Sequence, residues 1–304
     1  MANELKGLPV HSAEYFGDTR DHWWREGFLR DAAAEWGAKD VRTVLDVGCG
    51  VGHWGRLLSR VLPEEVRLVG VDREPLWVTK ATEKAAAAGL GERFSYRTGT
   101  VESLPFEDAT FDLVTCQTLL MHLQDPDRGL LEMARVTRPG GLVVVAEPTN
   151  LLASVRESLV LSDPPELAAA LFRLHLTCVR GKMAVGEGND FVGETVVRVL
   201  ADAGLQNVQV RLNDKVSPLT PPYESPSERA FAEEILDMAD RDLWIWPRET
   251  ALRYFLAGGG AEGEFATLWA SAIDQNRRVA AAVRGRTYTC TGGALFYLSW
   301  GRKV

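Results

Sequence analysis

The run Val44-Leu45-Asp46-Val47-Gly48-Cys49-Gly50-Val51-Gly52-His53-Trp54-Gly55 carries apolar residues straight into a glycine-rich turn that opens a helix. Glycine there grants backbone angles that side chains resist, and lets a ligand pack on the main chain where a Cβ would collide. A strand, such a turn and a helix make a nucleotide-binding unit whose ligand lies over the carboxyl ends of the strands. Asp72 follows Gly52 by twenty residues and closes a second strand, where its carboxylate can accept hydrogen bonds from both hydroxyls of a ribose. That spacing suits an adenosine. Gly50, Gly52 and Gly55 also satisfy the dinucleotide fingerprint, so an NAD-dependent oxidoreductase stays open on the glycines alone. Two features weigh against it. Counted from Gly48, the third glycine of the fingerprint falls on His53. Asp46 places a carboxylate inside a strand end, which a sulfonium or an ammonium would hold charged.

The candidate acids and bases are few. Of five histidines, His11 and His22 precede the core, and His53 begins the first helix after the glycine turn. His122 follows the fourth strand at the ligand-bearing end of the sheet, either as general base or in a structural role. His175, in Phe172-Arg173-Leu174-His175-Leu176, reads either as a base reaching in from a lid or as a surface histidine on a cover helix. Glu147, ending the fifth strand before Pro148, reads as a base, as a hydrogen-bond acceptor for substrate, or as a helix cap. Cys49, Cys116, Cys178 and Cys290 are widely separated, with no C-x-x-C pair and no histidine at ligand spacing. They read as reduced, buried thiols, and no metal site is expected.

Composition narrows the class. The 304 residues carry a net charge of −8 and are 46% hydrophobic, which is globular and well away from disorder. A nucleic-acid partner is disfavoured, because tracking a phosphate backbone needs clustered Lys and Arg. With no apolar stretch of signal-peptide or membrane-spanning length, the expectation is a cytoplasmic protein without a membrane partner.

The elements that must position these residues alternate. Strands are expected at Thr43–Val47, Arg67–Asp72, Phe94–Thr98, Phe111–Cys116 and Leu142–Glu147, with helices at about Trp54–Val61, Pro75–Ala88 and Pro126–Thr137 between them. Pro75 and Pro126 suit first helical positions, and Gly89 and Pro139-Gly140-Gly141 suit helix ends. Asp21 to Trp36 reads as one amphipathic helix capping the sheet. Beyond the core, Leu151–Arg180 and Asp190–Gly204 read as helical, Val208–Leu212 as a sixth strand and Ala294–Trp300 as a seventh. Ser227 to Val283 is helical throughout, broken at Trp246-Pro247 and at Gly258-Gly259-Gly260. The fold class is thus α/β, a doubly wound, mostly parallel seven-stranded sheet with helical cap and lid insertions. The expected segments are 1–40 cap, 41–150 core, 151–188 lid, 189–216 core helix and sixth strand, 217–286 insertion, and 287–304 final strand.

In block order, Val41 to Pro148 resembles the class I S-adenosylmethionine-dependent methyltransferases, whose Rossmann-like fold is the one expected here. Val44 to Gly50 is similar to that family's first motif and Gly70-Val71-Asp72 to its second. Thr98 to Phe106 resembles the adenine-binding block, Phe111 to Gln117 with Met121-His122-Leu123 the block flanking the methionine moiety, and Arg138-Pro139-Gly140-Gly141 the fifth. The resemblance implies S-adenosylmethionine as cofactor. It places Asp46, Gly48, Cys49, Gly50, Cys116 and Gln117 at the methionine end, Asp72 at the ribose, and Arg73, Trp77 and the Val101 amide along adenine. Thr100 stands where relatives commonly carry an Asp for the adenine amino group; it accepts that bond more weakly, or Glu102 substitutes. Tyr15 and Arg20 fall where relatives close the site, Arg20 as a grip on the carboxylate or as a solvated charge at a helix start.

The implied activity is metal-independent methyl transfer to a small-molecule acceptor by in-line displacement, which asks the protein mainly to align groups and exclude water. Trp244, Trp246, Tyr254, Phe255 and Trp269 either line an acceptor pocket or pack the insertion's own core, and Gly258 to Gly260 could let it flex. The insertion serves as a lid or as the interface of a homodimer. A protein that keeps the fold and binds cofactor without turnover is the remaining alternative.

Overall fold

A computed structural model describes residues 17–153 and 163–304. Its central sheet has seven strands in the order β3-β2-β1-β4-β5-β9-β6: β1 Thr43–Val47, β2 Arg67–Asp72, β3 Phe94–Thr98, β4 Phe111–Gln117, β5 Thr137–Pro148, β6 Gln206–Leu212 and β9 Phe296–Arg302. All neighbours run parallel except β9, which is antiparallel to β5 and β6. Every residue of β4 is buried, as expected of a strand covered by helices on both faces. The order reverses between β1 and β4, the switch point at which open α/β sheets bind ligands.

Alternation along the strands builds two apolar layers. On one face Val44, Leu68, Leu113 and Val144 pack under α1 (Glu26–Glu35), α2 (His53–Leu58) and α3 (Pro75–Ala87). On the other, Leu45, Val47, Val114 and Val145 pack under α4 (Pro126–Val136) and α6 (Val196–Asp202). Helix starts follow local chemistry. Pro75 and Pro126 stand in first turns, and Asp125 caps α4 by accepting from the Arg128 amide at 3.0 Å.

Several boundaries differ from the sequence expectation for identifiable reasons. The segment Asp21 to Trp36 is not one helix. A 3-10 turn, Gly17–His22, is followed by an irregular link before α1 begins at Glu26. Trp23 and Trp24 both pack on Phe296, at ring separations of 5.0 and 5.3 Å, and adjacent residues of a helix cannot share one face. Strand β5 starts at Thr137, so Pro139-Gly140-Gly141 lies inside it instead of closing a helix; the Gly140 amide donates to the Lys303 carbonyl at 2.8 Å. Contacts with β9 and the chain's end, distant in sequence, extend the strand there.

The expected helix Leu151–Arg180 is described only in part, its residues 154–162 lying outside the described residues; from Pro165 it forms α5 (Pro165–Ala184). The segment 217–286 opens with a short strand, β7 (Ser217–Leu219), which pairs with β8 (Cys290–Gly292) in a ribbon that the prolines concealed. It continues as α7 (Pro226–Asp240), α8 (Arg248–Ala257) and α9 (Glu262–Arg284). Helices α5, α8 and α9 share one apolar core, including Leu171, Leu174, Ala251, Phe255, Phe265 and Trp269, so the two insertions meet as one helical body. Helices α5 and α8 touch at two glycines. A Cβ on Gly181 would fall on the Tyr254 backbone, and one on Gly258 on the Thr177 carbonyl. Gly258 thus serves close packing, not flexing, and Gly260 likewise lies against the Phe255 ring.

Candidate functional site

The glycine turn after β1 has the backbone that its sequence demands. Gly48 and Gly52 are at φ +66° and +71°, and a Cβ would meet the Leu119 side chain at the first and the Tyr96 hydroxyl, 2.7 Å away, at the second. Asp72 braces this turn from the end of β2. Its Oδ2 accepts from the Gly50 amide at 2.9 Å and its Oδ1 from the Glu74 amide at 3.0 Å, leaving each oxygen a further lone pair. Burial raises its pKa, while the two amides oppose that shift.

Around the ends of β1 and β4, on the face under α2, stand buried polar atoms that lack partners among the described residues. Asp46 is 1% exposed; its Oδ2 accepts from the Gly55 amide at 3.2 Å, and its Oδ1 accepts from nothing. Burial, with the charge of Asp72 adding to it, pushes its pKa up to about 7. Gln117 continues the same face of β4 beyond Thr115, whose hydroxyl receives the Trp54 indole N–H at 2.9 Å; both amide atoms of Gln117 are buried and unsatisfied. Arg20 comes from the 3-10 turn of the cap. It is buried, not solvated, its guanidinium lies 5.3 Å from the Trp23 ring centroid, and its Nε has no partner. Burial brings its pKa down to about 10, and Asp21 and Asp46 oppose that shift. Asp21 also lies 2.9 Å from His53 Nδ1, a pairing across thirty-two residues that no local pattern announces.

The other expected cofactor contacts are placed as follows. Val101 is buried, while Thr100 and Glu102 are exposed. Arg73 is exposed beside Glu74, at 3.6 Å. Trp77 is buried, with Lys80 Nζ 4.9 Å from its ring. Cys49 and Cys116 are buried and free, and burial drives both thiols well above the usual range, which suits packing and not nucleophilic attack. Tyr15 lies outside the described residues.

The acceptor-side candidates do not form one cluster of bases. Glu147 is fully buried, and its Oε1 accepts from the amides of Leu119 at 2.9 Å and Leu120 at 2.7 Å. It therefore caps the 3-10 turn Leu120–His122, and burial pushes its pKa up to about 7. His122, on that turn, is exposed. His175 is buried on α5 among Phe191, Trp244 and Trp246, at ring separations of 5.7, 5.8 and 5.5 Å, which corrects the surface reading. Burial, with the charge of Lys182 adding to it, holds its pKa down to about 3; so weak a base cannot take protons efficiently near neutrality. Trp244, Tyr254, Phe255 and Trp269 are buried in the helical body's own core, and Trp246 is half-buried at its border.

Lys182 is the residue that sequence reading missed here. It is buried on α5, pairs with Asp190 and donates to the Met121 carbonyl at 3.3 Å. The turn after β4 is thus held by Glu147 from the sheet and by Lys182 from the helical body. A buried charged pair eight residues apart leaves no trace in a hydrophobic pattern. Among the described residues no group of three or more His, Cys, Asp or Glu side chains is placed to hold a metal, and no helix is long and apolar enough to cross a membrane.

With this geometry in view, residues 45–145 match the methyltransferase domain family. That segment is a class I, S-adenosylmethionine-dependent methyltransferase domain. It runs from Leu45 in β1 to Val145 in β5 and includes the glycine turn, Asp72 and Gln117. Among curated relatives, a demethylmenaquinone methyltransferase of Deinococcus radiodurans is 41% identical over 40% of this chain and 49% of its own length. Norajmaline N-methyltransferase of Rauvolfia serpentina is 32% identical over 47% and 48%, respectively. The chain thus spans about half the length of these curated relatives. A solved structure, the YcgJ protein from Bacillus subtilis, shares the fold, with a TM-score of 0.50 at 18% identity, covering 92% of this chain and 99% of that one. The matched segment thereby accounts for the parallel strands and the glycine turn at the switch point, while β6, β9, the 3-10 turn carrying Arg20, α5 and the helices from α7 to α9 lie outside the matched residues.

Proposed function

We propose that this chain is a metal-independent methyltransferase that takes its methyl group from S-adenosylmethionine and passes it to a small molecule held between the sheet and the helical body. One observation carries the reading. Arg20 Nε, Asp46 Oδ1 and the Gln117 amide are buried without partners among the described residues, beside a glycine-rich turn, and such atoms cost free energy until a ligand satisfies them. Their chemistry suits an amino acid: a guanidinium for a carboxylate, and a carboxylate and an amide oxygen for an ammonium. When bound, S-adenosylmethionine supplies a methyl group made electrophilic by its sulfonium. Asp72, with lone pairs left beyond its two backbone bonds, would hold the ribose.

The protein's own part is alignment and exclusion of water. His122, on the turn that Glu147 and Lys182 fix, is the group we assign to the acceptor. Glu147 acts through that turn as a positioning residue. The helical body closes over its own site as a lid in this reading, because Lys182 already spends its charge on the turn after β4. Cys49, Cys116 and Cys178 are buried thiols outside any disulfide among the described residues, which supports a cytoplasmic location.

Calorimetric titration with S-adenosylhomocysteine, with NAD as control, tests the proposal. Binding of the thioether alone in the micromolar range is expected. Binding of NAD, or of neither, overturns it.

A further inference from the structure

One buried side chain at the rim of this site has a ring nitrogen with nothing to do. His53 is the first residue of α2, directly after Gly52, and is 4% exposed. Its Nδ1 meets Asp21 Oδ1 at 2.9 Å, while its Nε2 is buried without a hydrogen-bond partner among the described residues. Asp21 sits in the same 3-10 turn as Arg20, so the pair also ties that turn to the glycine-rich one. Burial holds the imidazole below its usual pKa, which leaves the ring neutral at pH 7. With a carboxylate at Nδ1, that nitrogen carries the proton and Nε2 presents a lone pair. A buried acceptor needs a donor, and the charged groups acting on this ring from the protein are Arg20, Asp21 and Arg56, none of which reaches Nε2. The same neighbourhood holds Asp46 Oδ1, a second acceptor without a donor, whose charge acts on Arg20. Two unfilled acceptors beside a guanidinium describe a subsite for a zwitterion.

We propose that His53, oriented by Asp21, accepts a hydrogen bond at Nε2 from the α-ammonium group of bound S-adenosylmethionine, making the Asp21–His53 pair part of the amino-acid subsite. This assignment rests on the cofactor reading above.

Two thioethers separate the cases by calorimetry on the full chain: S-adenosylhomocysteine, which carries the amino-acid end, and methylthioadenosine, which lacks it. His53→Phe keeps a ring and removes the acceptor; His53→Gln restores an acceptor oxygen. Expected are a loss of roughly tenfold or more for S-adenosylhomocysteine in His53→Phe, unchanged methylthioadenosine affinity, and partial recovery in His53→Gln. Asp21→Ala changes a side chain that is 61% exposed, so it decides the matter if His53→Phe does not fold; about a threefold loss, again for S-adenosylhomocysteine alone, is expected. Equal losses for both ligands, or unchanged S-adenosylhomocysteine affinity in these variants, overturn the assignment of His53 and leave the cofactor reading standing. Wild-type protein that binds neither thioether overturns the cofactor reading, and this assignment with it.

Discussion

At the scale of single residues, the site is a set of polar groups buried ahead of need. Asp46 illustrates the cost. Its pKa in the folded chain, about 7, lies above the ordinary carboxylate value, so the fold favours the protonated form. The stability it contributes is fully present below about pH 4 and is lost as pH rises through about 7. Glu147 titrates in the same direction. Asp46→Asn should therefore flatten, without abolishing, the fall in urea midpoint between pH 5 and 8. A cation placed against Asp46 reverses the preference. Binding of S-adenosylhomocysteine at pH 6.5 should then release up to about one proton, read by calorimetry in buffers of different ionisation enthalpy, and Asp46→Asn should abolish the release. Asp72 has a part that sequence spacing does not reveal, since the carboxylate proposed for the ribose also braces the amides of Gly50 and Glu74. Asp72→Asn should weaken S-adenosylhomocysteine binding by about 1–2 kcal/mol and lower Tm at the same time; a variant with unchanged affinity would remove the ribose assignment.

At the scale of elements, the helical body depends on contacts that tolerate no added atoms. Gly181 and Gly258 let α5 and α8 meet backbone to backbone. An alanine at Gly181 gains about 1 kcal/mol of helix propensity, but its Cβ meets main chain that cannot move aside as a side chain would. Gly181→Ala should cost about 2 kcal/mol net in urea unfolding. Lys182 and Asp190 form the other joint, each about nineteen-twentieths buried. Removing one charge strands the other. Lys182→Met should cost about 3–5 kcal/mol, whereas Lys182→Met with Asp190→Leu should recover most of that; additive losses in the double-mutant cycle would refute the coupling.

At the scale of the whole molecule, three bodies converge on the switch point: the sheet, the N-terminal 3-10 turn and the helical body. Arg20 and Asp21 bring the turn to the site, and Lys182 brings α5 to it through Met121. S-adenosylhomocysteine should accordingly slow amide hydrogen exchange at 17–24 as well as 46–55, although the first segment lies outside the matched domain. Protection confined to 46–55 would show that the turn takes no part in binding.

Much of this was legible in the chain. The parallel sheet, the glycine turn, Asp46 and Asp72 follow from period-two apolar runs, β-branched residues and glycine spacing, all of which act within a few residues of chain. Trp23 and Trp24 already exceed that reach. Their packing on Phe296, more than two hundred and seventy residues away, breaks the helix that their own spacing suggests. The long β5 depends in the same way on Lys303, and the ribbon of β7 and β8 on partners separated by three helices. His175 was read from its helix position alone, and only the approach of Trp244 and Trp246 decides that it is buried and a weak base. The fold class and the glycine turn were readable from the chain alone, because their signals are local and periodic. Which charges are buried, which glycines are contacts and which acids brace backbone amides depends on atoms that only folding brings together, and so on the tertiary structure.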